Sequence, residues 1–548
     1  MRIARVMAVG LLLAANALAG QPADRLIAAA REDDGPAVEA LLSRHAAVNA
    51  RNEDGATALA WAAMHNNVEM CARLLAAGAN PNLANVYGVG PLALAVSNGS
   101  SELAQLLLRK GADANRARES GESPLMTAAR MGRTDLMQLL IDQGADVNAR
   151  EKKFGQTALM WGAGYSEAVR LLLAHKADPR ASTHEWDVKA TIYTPGFRTI
   201  GVTGIPWNFD GDYTSKKGGQ NALFFAVQAR SLESARALVE AGVDVNLPSA
   251  DGTTPLLLAL YKWDGGGGRN FTFAPDLAMA NYLLDRGAKV AAADGAGYTP
   301  LHGAVLAAVA ASKPAGGGRG RGGRGGGLNG PGGAGPAVVL NEAEALKVVQ
   351  RLLDGGADPN RQTVYPTSGP VGNVRINPAA PGSSALHIAA TSTNVALTRM
   401  LAAKGADPNL LRKDGETPFS LAVEANNVEV VKEMVARGAN LALRYNPATV
   451  VPDPAKPIAL RRENETIMHL AAVAGAAQTI EYLFSAGAAL DATNAQGETP
   501  LRMAQDHEVF EQVLAFEGTN NGGGKRVPLN TTTSDTIKRL LGQKTAGK

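Results

Sequence analysis

The histidines and the cysteine of this chain are the side chains best suited to nucleophilic or metal chemistry, and their spacing forms no recognised catalytic motif. Eight histidines are scattered through 548 residues. The sequence has no His-Glu-x-x-His pair, no Gly-x-Ser-x-Gly turn and no phosphate loop ending in Gly-Lys-Ser/Thr. Cys71 is the only cysteine, so it cannot form an intrachain disulfide or a cysteine-based metal cluster. We predict no enzymatic activity, no cofactor and a buried, unreactive Cys71.

Two short stretches contain side chains that metals bind. Alternating oxygen-bearing residues occur at Asn208, Asp210 and Asp212. This is the spacing of a calcium loop, but the distal glutamate of such a loop is missing, which favours a simple turn. Mixed ligands occur at His184, Glu185 and Asp187, which we interpret as polar surface residues rather than a zinc site. The sequence therefore predicts no metal centre.

A glycine tract with the sequence GGGRGRGGRGGG lies between Ser312 and Pro336. It matches the Gly-x-Gly-x-x-Gly pattern of dinucleotide sites, but it does not join a strand to a helix as those sites require. Its arginines also resemble an RGG-type nucleic-acid segment. The rest of the repeat region has an excess of acidic residues, which opposes nucleic-acid binding. We predict a solvated spacer and no nucleic-acid partner.

The elements that would position any site recur with a fixed period. From Gly415 the chain reads GETPFSLAVEANNVEVVKEMVARGANL, which predicts a short helix, a turn, a second helix and a glycine-capped turn. The residue in the proline position of Thr-Pro-Leu recurs mostly at intervals of 33. It stands at Ala58, Pro91, Pro124, Ala158, Ala222, Pro255, Pro300, Ala385, Pro418, Ile467 and Pro500. One such unit buries too few apolar side chains to fold alone, so stability must come from stacked copies.

The repeated phrases resemble those of the ankyrin repeat family. Thr-Pro-Leu-His-type phrases and closing phrases such as GADVN at Gly144 and GADPN at Gly405 carry the resemblance, which covers Pro22 to Glu517. It implies an all-α solenoid of about 12 helix-turn-helix units with β-hairpin fingers and several loop insertions. It also implies a protein-protein interaction scaffold that binds through its concave face and finger loops. His302, His387 and His469 occupy the histidine position of the phrase, where we expect structural hydrogen bonds.

The two ends of the chain differ from the repeats. A basic start, an apolar run from Val6 to Ala15 and the Ala17-Leu18-Ala19 sequence predict a signal peptide at residues 1–19. We therefore expect an exported, bacterial-type protein in the periplasm or outside the cell. Repeats are predicted over 20–180 and 219–517, separated by a finger insertion at 181–218 and followed by a basic tail at 518–548. In that tail Ile537, Leu540 and Leu541 would share one side of a short helix.

The insertion at 181–218 holds six of the 26 aromatic residues, which favours a partner contact. Together with regular finger tips it gives the predicted partner-binding residues, which are Tyr87, Arg118, Lys152, Lys153, Phe154, Trp186, Tyr193, Phe197, Trp207, Phe209 and Tyr213. Other hypotheses remain open. The aromatics can instead plug the adjoining repeats, the insertion can host a ligand or enzymatic site, or the whole chain can be a structural spacer of the cell envelope. We expect a monomer.

Overall fold

The computed structural model describes residues 22–191, 212–261, 263–266, 270–273, 275–312, 340–363, 382–412, 415–445, 463–517 and 531–546. The chain forms two compact units. The N-terminal unit comprises Met1–Asp187 and Lys216–Ala250, and the C-terminal unit comprises Val188–Ser215 and Asp251–Lys548. Both are built from pairs of short antiparallel helices, so the all-α repeat fold is confirmed. The number of repeat units stays a prediction.

The helices of the N-terminal unit follow one another in pairs. They are α1 (Pro22–Arg31), α2 (Gly35–Leu42), α3 (Ala58–Met64), α4 (Val68–Ala76), α5 (Pro91–Ser97), α6 (Ser101–Arg109), α7 (Pro124–Arg130), α8 (Thr134–Asp142), α9 (Ala158–Trp161), α10 (Ser166–Ala174), α11 (Ala222–Gln228) and α12 (Leu232–Glu240). Two strands, β1 (Trp186–Thr191) and β2 (Asp212–Lys217), pair in a two-stranded sheet between α10 and α11. Odd-numbered helices are first helices of their pairs, and even-numbered helices are second helices.

The C-terminal unit continues the same pairing. Its helices are α13 (Pro255–Leu260), α14 (Leu277–Asp285), α15 (Pro300–Ala311), α16 (Glu342–Asp354), α17 (Ala385–Ala390), α18 (Val395–Ala403), α19 (Pro418–Glu424), α20 (Val428–Ala436), α21 (Ile467–Val473), α22 (Ala477–Ser485), α23 (Pro500–Glu517) and α24 (Thr532–Ala546). An antiparallel hairpin of β3 (Trp263–Gly266) and β4 (Asn270–Phe273) separates α13 from α14. Within each unit, first helices pack on first helices and second helices on second helices. Their apolar sides form the buried core.

Side-chain caps start most of these helices. In the first helices a hydroxyl accepts from the backbone three residues on, as when Ala60 donates to Thr57 at 3.2 Å and Ser420 donates to Thr417 at 3.0 Å. This bond satisfies one of the backbone N–H groups left open in the first turn. Proline follows the cap in several cases, because its missing N–H costs nothing there. The Thr-Pro phrase therefore marks the start of the first helices that carry it, such as α13, α15 and α19.

A recurring asparagine joins each pair of helices to the next. The Asn115 amide donates to the Gly144 carbonyl at 2.8 Å, while its oxygen accepts from the Asp146 N–H at 2.6 Å. The same pair of hydrogen bonds is made by Asn49, Asn82, Asn148, Asn360 and Asn409. We call this contact the asparagine joint. It explains why the closing phrase ends in asparagine, a role that the sequence alone presented only as a turn.

The predicted helix of the tail forms and has a place in the fold. Helix α24 packs against α22 and α23. It thereby takes the place that the second helix has in the other helix pairs of the unit. Its residues Ser534, Ile537 and Leu540 are buried, and the Ser534 N–H donates to Glu508 at 2.9 Å. The tail thus supplies the last second helix. No helix in the described part of the chain is long and apolar enough to cross a membrane.

Candidate binding surface

The finger tips, which are the turns between a second helix and the next first helix, are linked to one another in sequence. The Val86 N–H donates to the Asp54 carbonyl at 2.9 Å, and the Lys152 N–H donates to the Ser120 carbonyl at 2.9 Å. Gly88 has a φ of +74°, and a Cβ there would lie 2.6 Å from the backbone nitrogen of Glu119. Only glycine allows neighbouring fingers to approach so closely. The fingers of the N-terminal unit therefore form one surface.

One finger is organised by a buried carboxylate. Glu151 is buried and accepts from the backbone N–H groups of Lys153 at 2.7 Å and Phe154 at 2.6 Å. These bonds fix the tip so that Lys153 Nζ lies 4.8 Å from the Phe154 ring centroid. The ring in turn lies 5.0 Å from that of Trp186, at a tilted angle of 51°. Three predicted contact residues are thus brought together in one aromatic and basic cluster.

The other predicted contact residues are distributed unevenly. Tyr87 is 64% exposed and Lys152 is exposed, both at finger tips. Arg118 instead turns toward the preceding repeat, where Nη2 donates to Ser97 Oγ at the end of α5 at 2.9 Å. Tyr213 belongs to β2. Tyr193, Phe197, Trp207 and Phe209 lie outside the described residues, so the choice between contact and plug stays open.

A row of large apolar side chains on the first helices was missed by the sequence reasoning. It occupies the position three residues after the proline position, which we call the row position. In the N-terminal unit Trp61, Leu94, Trp161 and Phe225 stand there, and all are half-buried. Successive first helices pack together, so Trp61 lies next to Leu94 and Trp161 next to Phe225, with α7 between the two pairs. The paired phrases Thr-Ala-Leu-Ala-Trp and Thr-Ala-Leu-Met-Trp carried the signal, because tryptophan in a small-residue helix is unusual among the copies.

Polar groups of the α7 repeat border this row. The Glu122 carboxylate accepts from the Thr127 hydroxyl at 2.8 Å and lies 3.3 Å from Arg130 Nη2 and 3.4 Å from Arg118 Nη1. The Arg130 guanidinium carbon lies 5.1 Å from the Trp161 ring centroid, a distance at which a cation is attracted to the ring face. The row therefore combines an apolar surface with a cationic group.

A comparison with known families identifies the repeats. The family model for ankyrin repeats matches three times, at residues 26–118, 92–183 and 338–445. The chain contains ankyrin repeats. The matched ankyrin segments include the helices that carry Trp61, Leu94, Arg130 and Trp161, so the row belongs to regular repeats rather than to an insertion.

Two other proteins are similar to part of this chain. A transient receptor potential cation channel subfamily A member 1 homolog of Caenorhabditis elegans is 25% identical over 163 residues, which are 30% of this chain and 12% of the channel homolog. A putative palmitoyltransferase ZDHHC13 of Danio rerio is 24% identical over 281 residues, which are 51% of this chain and 32% of the relative. The matches span about a third or less of either relative. The activities in their names belong to those proteins.

The histidines of the ankyrin phrases have structural roles, as predicted. The Thr299 N–H donates to His302 Nδ1 at 3.2 Å, and His302 Nε2 lies 3.3 Å from the Ser383 carbonyl oxygen of the next repeat. Because Nδ1 accepts, the proton is on Nε2, which donates. His469 makes the same pair of bonds, with Thr466 and with the Glu498 carbonyl. Burial lowers the pKa of His302 to about 4. These imidazoles stay neutral and hold consecutive repeats together.

The metal and thiol candidates of the sequence have no catalytic arrangement among the described residues. No group of three histidine, cysteine, aspartate or glutamate side chains is placed to hold a metal there. The His184 ring packs on Gly155, and Asn208 and Asp210 lie outside the described ranges. Cys71 is buried, and that burial raises the pKa of its thiol to about 12. A thiol so protonated is a weak nucleophile.

Proposed function

We propose that this chain is a protein-binding scaffold, and that the N-terminal unit makes the contact through its row and its finger tips. The observation that carries the proposal is the row itself. Trp61 and Leu94 are half-buried on the neighbouring helices α3 and α5, Trp161 and Phe225 on the neighbouring helices α9 and α11, and Met64 beside Trp61 is 56% exposed. Isolated exposed apolar side chains need no explanation, but two such pairs, each with a tryptophan, are typical of an interface.

The finger tips extend the same surface with residues suited to an interface. Val86 and Tyr87 are more than half exposed, and the cluster of Lys153, Phe154 and Trp186 follows two repeats later. Tyrosine and tryptophan give large contact areas at a small cost in side-chain entropy. The finger hydrogen bonds hold these residues in place before a partner arrives, which reduces the ordering cost of binding.

The test is capture of a partner by the full chain. The double variant Met64→Glu with Tyr87→Glu changes two exposed side chains of the surface, so folding should be preserved. The matched control is Leu411→Glu, which alters a side chain of the C-terminal unit that is 51% exposed. We expect a saturable partner from a cell-envelope extract that the parent chain and the control capture equally, and that the double variant captures at least about tenfold less. Equal capture by the double variant, with all three proteins showing the same melting curve, contradicts the proposal.

Export is part of the same proposal. The basic start, the apolar run and Ala17-Leu18-Ala19 support removal of residues 1–19. We expect protein recovered from the envelope fraction to begin near Gly20. An envelope-located chain that still begins at Met1 would contradict cleavage.

A further inference from the structure

We propose that the row of the N-terminal unit binds a peptide segment in which a carboxylate lies beside a large apolar side chain, and that Arg130 receives the carboxylate. This inference rests on the proposed function and names the chemistry of the partner. It is carried by the charge distribution of the row, by the surroundings of Arg130 and by the aromatic ring beneath its guanidinium.

Charge is nearly absent from the row. The first helix α1, which precedes the row, carries Asp24, Arg25 and Arg31. The five first helices from α3 to α11 contain one charged side chain among them, Arg130. The remaining residues are alanine, leucine, tryptophan and others without charge. A single cation within an apolar surface attracts one anionic group and disfavours cationic ligands, since like charges would meet where little water remains.

Local charge balance leaves Arg130 with capacity for a ligand. Glu122 is the carboxylate that pairs with it, but the same carboxylate also pairs with Arg118 and accepts from Thr127. Two guanidinium groups therefore share one negative charge. The Glu122 side chain is 12% exposed and that of Arg118 is 26% exposed, whereas that of Arg130 is 56% exposed. The excess positive charge is consequently accessible at Arg130.

The Trp161 ring determines which ligand fits beside this charge. Arg130 stacks on the ring at 5.1 Å and uses Nη2 in its contact with Glu122, at 3.3 Å. A guanidinium has five N–H donors, so a second carboxylate can be bound while the stacking is kept. A ligand side chain next to that carboxylate would lie on Trp161, the ring that Arg130 stacks on, or on Phe225 of the next first helix. The complementary segment is therefore Asp or Glu beside Phe, Trp or Leu.

Displayed peptide libraries test the inference. Three sets share random flanks around Phe, Trp or Leu, and differ only in the adjacent residue, which is Asp or Glu in the first set, Asn or Gln in the second and Lys or Arg in the third. The bait is the full chain, and the variants are Arg130→Gln, Arg130→Lys and Arg109→Gln. Arg109 is an exposed arginine of the second helix α6, so its variant matches the loss of charge away from the row.

The expected result is enrichment of the acidic set by about 10- to 100-fold over the amide set, the range for a charged hydrogen bond. Arg130→Gln should abolish that preference, Arg130→Lys should keep part of it, and Arg109→Gln should keep all of it. An acidic preference that survives in Arg130→Gln overturns the role of Arg130. Equal binding of the acidic and amide sets overturns the carboxylate.

The failures of the two proposals can be told apart. If no peptide set is enriched but a protein partner is captured and lost on Met64→Glu with Tyr87→Glu, the carboxylate inference is wrong and the scaffold function stands. If neither peptides nor a partner depend on these residues, the proposed function itself is wrong. Thermal melts of every variant confirm that lost binding does not reflect lost folding.

Discussion

The row position has a different environment in the two units of the molecule. In the N-terminal unit it is occupied by Trp61, Leu94, Trp161 and Phe225, which are half-buried. In the C-terminal unit Ile388, Leu421, Leu470 and Met503 occupy it with exposures of 0%, 8%, 6% and 7%, and the glycine of α15 at this position is buried as well. In both units this position lies three residues after the proline position of the repeated phrase, on the first helix of a pair. A repeated position therefore fixes a residue's place in the helix pair without fixing its role.

In each unit one side chain at the row position departs from the burial that is usual for that unit. Thr127 is buried in the N-terminal unit, because its hydroxyl lies under Glu122 at 2.8 Å. Leu258 in the C-terminal unit is half-buried. The contrast is thus a tendency of each unit, and it agrees with the residue types, since the tryptophans of the row occur in the N-terminal unit.

The histidine caps show a second difference. His302, His387 and His469 are the third residues of first helices in the C-terminal unit. At the equivalent place in the N-terminal unit stand Ala60, Ala93, Met126, Met160 and Phe224, none of which titrates. The C-terminal unit should therefore respond to acid in a way that the N-terminal unit does not.

The largest expected effect compares Ile388→Ala with Leu94→Ala, two changes of similar volume. Ile388 is fully buried, so its loss should lower the free energy of unfolding by about 2–5 kcal/mol. Leu94 is half-buried, and its loss should cost about 1 kcal/mol because much of its surface already meets water. Hydrogen exchange at individual residues measures each unit separately, as a repeat array need not unfold in one step. Equal losses would break the comparison.

Acid should weaken the C-terminal unit next most strongly. His302 has a pKa of about 4 in the folded chain and near 6.5 when unfolded, so the unfolded state binds the additional proton between these values. The contribution of neutral His302 to the free energy of unfolding is complete above about pH 6.5 and is lost as the pH falls toward 4. At pH 5 the loss amounts to about 2 kcal/mol. We expect exchange in the C-terminal unit to accelerate between pH 7 and pH 5 after correction for intrinsic rates.

Two histidine variants sharpen this pH test. His302→Gln removes the titrating group and should flatten the pH dependence of hydrogen exchange in the C-terminal unit. His65→Gln removes an exposed imidazole of the N-terminal unit and should leave that pH dependence unchanged. The same slope in the parent chain and in His302→Gln would show that other groups govern the acid response.

The smallest effect concerns what the units share. Asn115→Ala and Asn409→Ala each remove one asparagine joint, in the N-terminal and C-terminal unit respectively. Both joints are exposed, so each variant should lose about 1 kcal/mol, a modest net value for two solvated hydrogen bonds. Chemical denaturation followed by circular dichroism measures the loss. A markedly larger cost in one unit would mean that the joints, too, differ between the units.

The sequence predicted the repeated fold well, because each boundary depends on a local rule. Thr417-Pro418 and the run from Val428 predicted α19 and α20 at their observed starts. Ile537, Leu540 and Leu541 were predicted to share a helix side, and in α24 the first two are buried while Leu541 is half-buried. The position of α24 as the last second helix depends on contacts made after an intervening segment, and no local pattern encodes such contacts.

The binding surface was harder to predict than the fold. Trp61 and Trp161 obey the same apolar period as core residues, so the pattern alone assigns them to the core. Whether an apolar position is covered depends on what packs on it in three dimensions. Arg118 illustrates the opposite case. Its finger position predicted exposure, but Glu122 four residues later draws the guanidinium inward.

The asparagine joint has a consequence for how such a chain can change over generations. The asparagine and the glycine-containing phrase it contacts are 29 residues apart at Asn115 and Asn409, yet 45 apart between Asn360 and Gly405, with the same bonds formed. The joint tolerates extra residues in the finger it brackets. Each repeat that makes the joint presents an asparagine side chain forward, and the next repeat meets it with a backbone carbonyl and a backbone N–H. Such a repeat can therefore be duplicated, deleted or lengthened without redesigning its neighbours. Genetic gain and loss of units is thus compatible with an intact junction.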